Sequence, residues 1–248
     1  MEKVLKLYKE IGETPLECLE RFRDANPEYK GVPMTYAGRL DPMAEGILLV
    51  LVGEECKQKE KYLAYDKEYE VEILLGFATD SYDILGKVTD SLGGSTSKSF
   101  PDLFLILQSF VGKFTQEYPR YSSRLIPKVS HLAIARNRTL DNWPTKDVEI
   151  YSVDYLDMYE MEALELLADT QTRIAKVKGD FRQKETLDLW RENLGMSDVP
   201  KIYQILKIKV SCSSGTYMRS LAHNLGQKLG MSALAYSIKR TKVGSFEI

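Results

Sequence analysis

The stretch Tyr36-Ala37-Gly38-Arg39-Leu40-Asp41-Pro42-Met43-Ala44-Glu45-Gly46 runs directly into the apolar residues Ile47-Leu48-Leu49-Val50-Leu51-Val52. Its first part is too rich in Gly and Pro for the interior of a helix or strand. The second part, bounded by Gly46 and Gly53, reads as a short buried strand or a helix end, and it is far too short to span a membrane. Asp41 therefore sits on a loop set against a rigid apolar element, a position suited to a nucleophile or an acid/base group. Spacing alone also permits a plainer role, a turn-forming or helix-capping aspartate before Pro42.

Working outward, Val4–Tyr8 alternates as a strand does, and Thr14-Pro15-Leu16-Glu17 carries the capping box that opens a helix. Tyr69, Val71, Ile73 and Leu75 alternate with Glu68, Glu70 and Glu72, which predicts a half-buried strand. Ser91–Ser99 reads as a flexible loop, and Leu103, Ile106, Leu107 and Phe110 follow at helical spacing. Met161–Leu167 and Leu187–Leu194 predict two more helices, separated by the basic stretch Lys176–Lys184. Leu206, Ile208 and Val210 alternate with Lys207 and Lys209 as a strand. Met218, Leu221, Ala222, Leu225 and Leu229 form an amphipathic helix stopped by Gly230. Strands and helices mix without a βαβ period, an internal repeat or a linker. The expectation is one α+β domain over residues 1–248, a mixed and largely antiparallel sheet with flanking helices.

Composition narrows the chemistry. The 248 residues, 44% hydrophobic and 28% charged, suit a soluble globular protein. The Met1–Lys6 start has no apolar signal core, so a cytoplasmic location is expected. Cys18, Cys56 and Cys212 form no CxxC pair, and His131 and His223 are the only histidines, so a Cys/His zinc site of familiar spacing is absent. GxGxxG, GxxxxGK[ST], HExxH and GxSxG are absent too. An enzyme of this composition must work with carboxylates, lysines, arginines and tyrosines.

A second stretch, Ser211-Cys212-Ser213-Ser214-Gly215-Thr216-Tyr217-Met218-Arg219, takes a strand end through a glycine turn into a helix. Backbone N–H groups at such a helix start suit an anion. Arg219 would lie in the first turn, where the helix dipole does not favour a cation. That placement calls for a specific partner, for which a carboxylate is a candidate; a surface arginine is the plainer alternative.

At these residues the sequence resembles the TruB family of tRNA pseudouridine synthases, over most of its length. Lys9–Thr14 resembles the family's N-terminal segment. Gly38, Leu40, Asp41, Pro42, Ala44, Gly46, Leu48, Gly53 and Lys57 resemble its catalytic motif in register. Lys67, Tyr69, Val71, Leu75-Gly76, Thr79-Asp80, Asp83 and Gly86 resemble the next block, and Gln116 with Pro119–Ser123 another. Cys212–Leu221 with Leu225-Gly226 and Leu229-Gly230, then Arg240–Phe246, resemble the C-terminal signature and the end of the catalytic domain.

The resemblance implies a pseudouridine synthase fold with a central active-site cleft, working without cofactor or metal on the T-loop uridine of tRNA (uridine-55 in tRNA numbering). It implies that Asp41 is the catalytic aspartate, a carboxylate able to attack the sugar or deprotonate it and then leave. By the same resemblance Arg219 pairs with Asp41, Tyr69 stacks on the flipped base and is placed for proton transfer, Tyr217 lines the pocket, and Lys9 supports the active-site loop. The target base must flip out of folded RNA to be reached. The expected partner is the T-arm of tRNA, bound by a monomer. Alternatives are a protein that binds or folds RNA without the chemistry, and a synthase acting on ribosomal or messenger RNA.

This sequence departs from the family pattern at several points. Tyr36 stands where histidine is common, at a position associated with wedging the flipped base. Arg39 replaces a usually small residue, and Glu10 stands where proline is usual. Residues 158–200 read as an acidic helical insertion. The sequence stops soon after Phe246, without room for the small C-terminal RNA-binding domain of PUA type that many members carry.

Charge completes the picture. The 34 basic and 36 acidic side chains nearly cancel, to a net −2. Residues 101–140 carry 6 basic and 2 acidic side chains, and residues 201–248 carry 8 and 1, whereas residues 141–200 carry 7 and 14. The expectation is a basic RNA-facing cleft, supplied by the two basic stretches, on an acidic body.

Overall fold

The strand that follows Asp41, Ala44–Val52, is buried along nearly its whole length, with Ile47 to Leu51 at most 1% exposed. Both of its faces are covered. Leu48, Val50 and Val52 pack with Leu5, Cys18 and Leu19, while Ile47, Leu49 and Leu51 pack with Ala37, Tyr62 and Val243. That two-sided burial is why its sequence is continuously apolar. Each such aliphatic side chain stabilises the fold by roughly 1.5–3 kcal/mol.

The computed structural model describes residues 2–92, 99–119, 121, 144–195 and 201–248. His131, Arg120, Ser122, Ser123 and most of the Ser91–Ser99 stretch lie outside the described residues. The elements are β1 (Val4–Lys9), α1 (Pro15–Ala25), β2 (Met34–Ala37), β3 (Ala44–Val52), α2 (Lys59–Leu63), β4 (Lys67–Leu75), β5 (Phe77–Thr79), β6 (Val88–Ser91) and α3 (Leu103–Gln108). There follow β7 (Gly112–Glu117), β8 (Thr145–Glu162), α4 (Ala163–Ala175), α5 (Gln183–Gly195), β9 (Ile202–Cys212), α6 (Met218–Leu229), β10 (Ala233–Val243) and β11 (Phe246–Glu247).

Among the described residues the main sheet runs β1-β3-β10-β4-β9-β8-β7, with β2 beside β3 and β11 beside β10. All pairings are antiparallel except that of β3 with β10. The expected α+β class and mixed, largely antiparallel sheet are therefore observed. β10 pairs with the first residues of β3 and β2 with the last, so the Asp41 loop emerges at their junction.

The alternation in β4 and β9 divides the sheet into two faces. Tyr69, Val71 and Ile73 join Ile208 and Val210 under the apolar side of α6, with Met218, Leu221, Ala222 and Leu225. The glutamates and lysines between them meet on the opposite face, where Glu70–Lys207 and Glu68–Lys209 are cross-strand ion pairs at 3.3 and 3.0 Å. α1 begins with the expected capping box at Thr14 and Glu17, and α6 ends at Gly230 with φ 71°.

The parallel contact of β3 with β10 requires Gly46, whose φ is +109°. A Cβ there would stand 2.2 Å from the Arg240 carbonyl oxygen. Gly46→Ala is expected to destabilise the fold by about 3 kcal/mol, seen as a lower urea midpoint; an unchanged midpoint would refute this account.

The segment at 158–200 differs from its sequence reading. Residues 158–162 continue β8, with Met161 opposite Tyr203 and Glu162 opposite Ile202. Met and Glu favour helices, but pairing with β9 overrides that preference. The helical part is the hairpin α4–α5, which covers Leu74, Phe77, Ile84, Leu85 and Tyr203. Trp190 is fully buried there and donates its indole N–H to the Ile84 carbonyl at 3.0 Å.

Candidate active site

The Asp41 loop is held from below through its carbonyl groups. The buried Lys9 ammonium donates to Ala44 O at 2.5 Å, Glu10 O at 2.9 Å and Pro42 O at 3.4 Å. The buried Arg240 guanidinium donates to Ile47 O at 2.8 Å, Gly38 O at 3.1 Å and Arg39 O at 3.4 Å. Gly12 N–H adds a bond to Pro42 O at 2.8 Å, and the Ala44 N–H closes a turn onto Asp41 O at 3.0 Å. Two cations thus brace a segment that Gly and Pro exclude from regular ladders. Burial pushes the Lys9 ammonium down to about 8.

Asp41 meets Arg219 at the end of that loop. Arg219 Nε lies 2.8 Å from Asp41 Oδ2 and 3.7 Å from Asp83 Oδ2. Its Nη1 donates to Ser81 O at 2.9 Å and its Nη2 to Tyr121 O at 3.1 Å. The Arg219 side chain is 3% exposed and that of Asp41 26%. The buried guanidinium is held in direction by its hydrogen bonds to the two carbonyls, and its Nε stands at ion-pair distance, outside hydrogen-bond geometry, from Asp41, the partner that solvent can reach. Burial holds the Asp83 carboxyl above the usual carboxylate range, opposed by Arg219. The Ser81 hydroxyl and the Leu85 N–H both donate to Asp83 Oδ1, at 2.6 and 3.1 Å.

Asp41 and Arg219 line a cleft of about 540 Å³. Of the candidates named from sequence, Asp41, Tyr69, Arg219, Tyr217 and Tyr36 line it, whereas Lys9 sits behind the loop. Tyr69 is on β4, opposite Arg240, with its phenol buried; burial raises its pKa and keeps it neutral. Tyr217 precedes α6, and its main chain is clamped by Gln116, which accepts from Tyr217 N at 2.8 Å and donates to Tyr217 O at 3.1 Å. Tyr36, at the cleft's edge on β2, has the Lys59 ammonium 5.5 Å from its ring centre.

Among the described residues the cleft is lined mainly by cations, and most of these lie outside the two basic stretches. Arg39, Lys59, Lys67, Lys146, Arg219 and Arg240 line it, against Asp41 and Glu60. Four of those six cations come from the net-acidic segments 1–100 and 141–200. The C-terminal stretch contributes Arg219 and Arg240, which are buried and engaged inside the protein. Lys67 also faces inward, donating to the carbonyls of Leu63 and Tyr65, and burial lowers its pKa to about 8.

Arg240 and Asp83 enter the sequence resemblance as family positions without a role of their own. Ile238 and Arg240 share the buried phase of β10, and a cation at an inward strand position was the available signal. Asp83 had no such signal, because it lies on a turn. Among the described residues no three His, Cys, Asp or Glu side chains gather as metal ligands. No helix among them is long and apolar enough to cross a membrane.

The fold is shared with solved structures. One chain of "Crystal Structure of a Cbf5-Nop10-Gar1 Complex" superposes with a TM-score of 0.58 at 18% identity, over 98% of this chain and 49% of that one. A chain of "Structure of H/ACA RNP bound to a substrate RNA containing 2'-deoxyuridine" gives 0.56 at 17% identity, over 98% and 48%. In sequence, the chain is 30% identical to "tRNA pseudouridine synthase B" of Thermosipho melanesiensis, over 98% of this chain and 64% of that protein. It is 29% identical to the protein of the same name from Borrelia garinii subsp. bavariensis, over 98% and 70%. The chain thus spans roughly two thirds of the length of these relatives. Residues 29–180, which include the Asp41 loop, β4 and the Asp83 turn, match the "TruB family pseudouridylate synthase (N terminal domain)". The chain belongs to the TruB family of pseudouridylate synthases.

Proposed function

We propose that this protein is a tRNA pseudouridine synthase that isomerises the T-loop uridine, with Asp41 as the catalytic carboxylate. The observation that supports this reading is the Asp41–Arg219 pair, at 2.8 Å, on the floor of a cleft lined by cations and tyrosines. The cations attract the RNA backbone, and the tyrosines offer faces for an extruded base. In the reaction the uracil N1–C1′ bond breaks, the base turns, and C5 bonds to C1′. The C5 proton is lost to solvent while N1 gains one. The Asp41 carboxylate stands beside Arg219 and opens to the cleft, placed to attack C1′ or to take the proton from C2′. Tyr69, its phenol kept neutral by burial, lines the same cleft, which supports a role in stacking on the base and in proton transfer. One domain, with the α4–α5 hairpin as an insertion between β8 and β9, carries these groups.

Release of tritium from 5-labelled uridine in a T-arm RNA tests the reading. Wild-type protein is expected to release one tritium per pseudouridine formed; no release from any tRNA would refute it. Tight binding without turnover would instead indicate an RNA-binding protein, and release confined to ribosomal or messenger RNA a different substrate. Tyr36→Ala is expected to slow turnover about tenfold on the folded T-arm, through loss of stacking, and less on an unstructured oligonucleotide. Equal slowing on both would remove Tyr36 from base extrusion.

A further inference from the structure

We propose that Arg182, on the turn between α4 and α5, is a positioning residue that aligns Arg219 with Asp41; the catalytic part of this inference rests on the reading above. Arg182 lies outside the cleft, yet its guanidinium holds both segments that accept from Arg219. Its Nη1 is 2.7 Å from Asp80 Oδ2 and its Nη2 donates to Asp80 Oδ1 at 3.3 Å. Its Nη1 also donates to the Tyr121 hydroxyl at 3.2 Å, and its Cζ lies 4.4 Å from the Tyr121 ring centre. Arg219 donates to the carbonyl of Ser81, the residue after Asp80, and to the carbonyl of Tyr121 itself. Arg182 thus fixes, from the far side, the two acceptors that set the direction of the Arg219 guanidinium.

The turn that presents Arg182 is built for it. Gln183 donates to Val177 O at 3.1 Å and Gly179 O at 2.7 Å, and it accepts from Phe181 N at 2.9 Å. Arg182 N donates to Asp180 Oδ1 at 3.1 Å. Arg182 itself has φ +62°, a left-handed conformation that costs a long side chain of order 1 kcal/mol. Thr186, one turn along α5, donates to Leu85 O at 3.2 Å, so the hairpin also grips the far end of the Asp83 turn. Among the described residues the guanidinium is held by Asp80 and Tyr121.

The strain also supplies the test. Arg182→Gly removes the side chain and relaxes the backbone, so the melting temperature is expected to stay within about 3 °C of wild type. In the same variant kcat on T-arm RNA is expected to fall about tenfold with KM changed less than about twofold. Arg182→Lys keeps the charge opposite Asp80 and is expected to recover part of kcat. A second readout needs no turnover: the ¹⁵N-resolved Nε–H of Arg219 is expected to exchange with water at least about tenfold faster in Arg182→Gly than in wild type. Unchanged Arg219 exchange would overturn the proposal, as would a loss of kcat that only tracks a loss of melting temperature. If wild-type protein turned over no RNA, the proposed function would fall, and the Arg219 exchange would still decide whether Arg182 positions it.

Discussion

Asp41→Asn is expected to lower tritium release from 5-labelled T-arm uridine by at least about a thousandfold, with the fold preserved. The amide has the size of the carboxylate but can neither attack C1′ nor accept a proton as a carboxylate does, so the step itself is lost. Structural damage is small for three reasons. Asp41 is partly open to solvent, its loop is held through carbonyl groups by Lys9 and Arg240, and Arg219 retains Asp83 at 3.7 Å with the carbonyls of Ser81 and Tyr121. Stability should change by less than about 2 kcal/mol, and RNA affinity within about fivefold, as filter binding would register. Release at a tenth of the wild-type rate or more would mean that another group performs the reaction.

Arg219→Met carries the largest expected effect on stability. The variant removes a buried cation and leaves Asp83, itself buried, with its charge uncompensated; breaking such a pair costs about 3–5 kcal/mol near neutral pH. The pH dependence has a definite sign. Burial already places the folded pKa of Asp83 above its unfolded value, and the folded state therefore holds that proton at pH values where the unfolded chain has released it. Stability falls as pH rises from the ordinary carboxylate range to the folded pKa. Without Arg219 the folded value rises further. The gap between wild type and variant should thus be small at acid pH and widen toward neutrality, which urea titrations at several pH values would measure. Adding Asp83→Asn to Arg219→Met should recover much of the stability and none of the turnover, since Asp41 still lacks its partner. A gap independent of pH would mean that lost packing, not an unpaired carboxylate, causes the damage.

Much of this site was legible in the sequence because its chemistry is local. Asp41 stands on a Gly- and Pro-containing loop before an apolar strand, and Arg219 stands at a helix start that does not favour a cation. The inference that Arg219 needed a carboxylate is met by two, Asp41 and Asp83. The alternation around Tyr69 located the β4 face that carries it. Less legible were the groups that act through backbone carbonyls. Lys9 had its loop-supporting role by resemblance, but Arg240 resembles an ordinary strand cation until β10 and β1 are laid on either side of β3 and both cations are seen to brace one loop.

Periodicity and short motifs in the sequence indicated β1, β3, β4, β9, α1, α3 and α6 and carried the family resemblance, because they record which side of a segment meets the core; β2, β7 and β10 left no such record. The sequence could not determine that Met158 to Glu162 extend a strand, since helix propensity there lost to pairing with β9. Nor could it determine where the cleft's charge comes from. Net charge along the chain indicated the two basic stretches, but among the described residues four of the six lining cations come from segments that are acidic on average. The contact of Arg182 with Asp80 joins residues 102 positions apart. Such long-range partners are chosen by how the sheet and hairpin pack, and no local pattern encodes that choice.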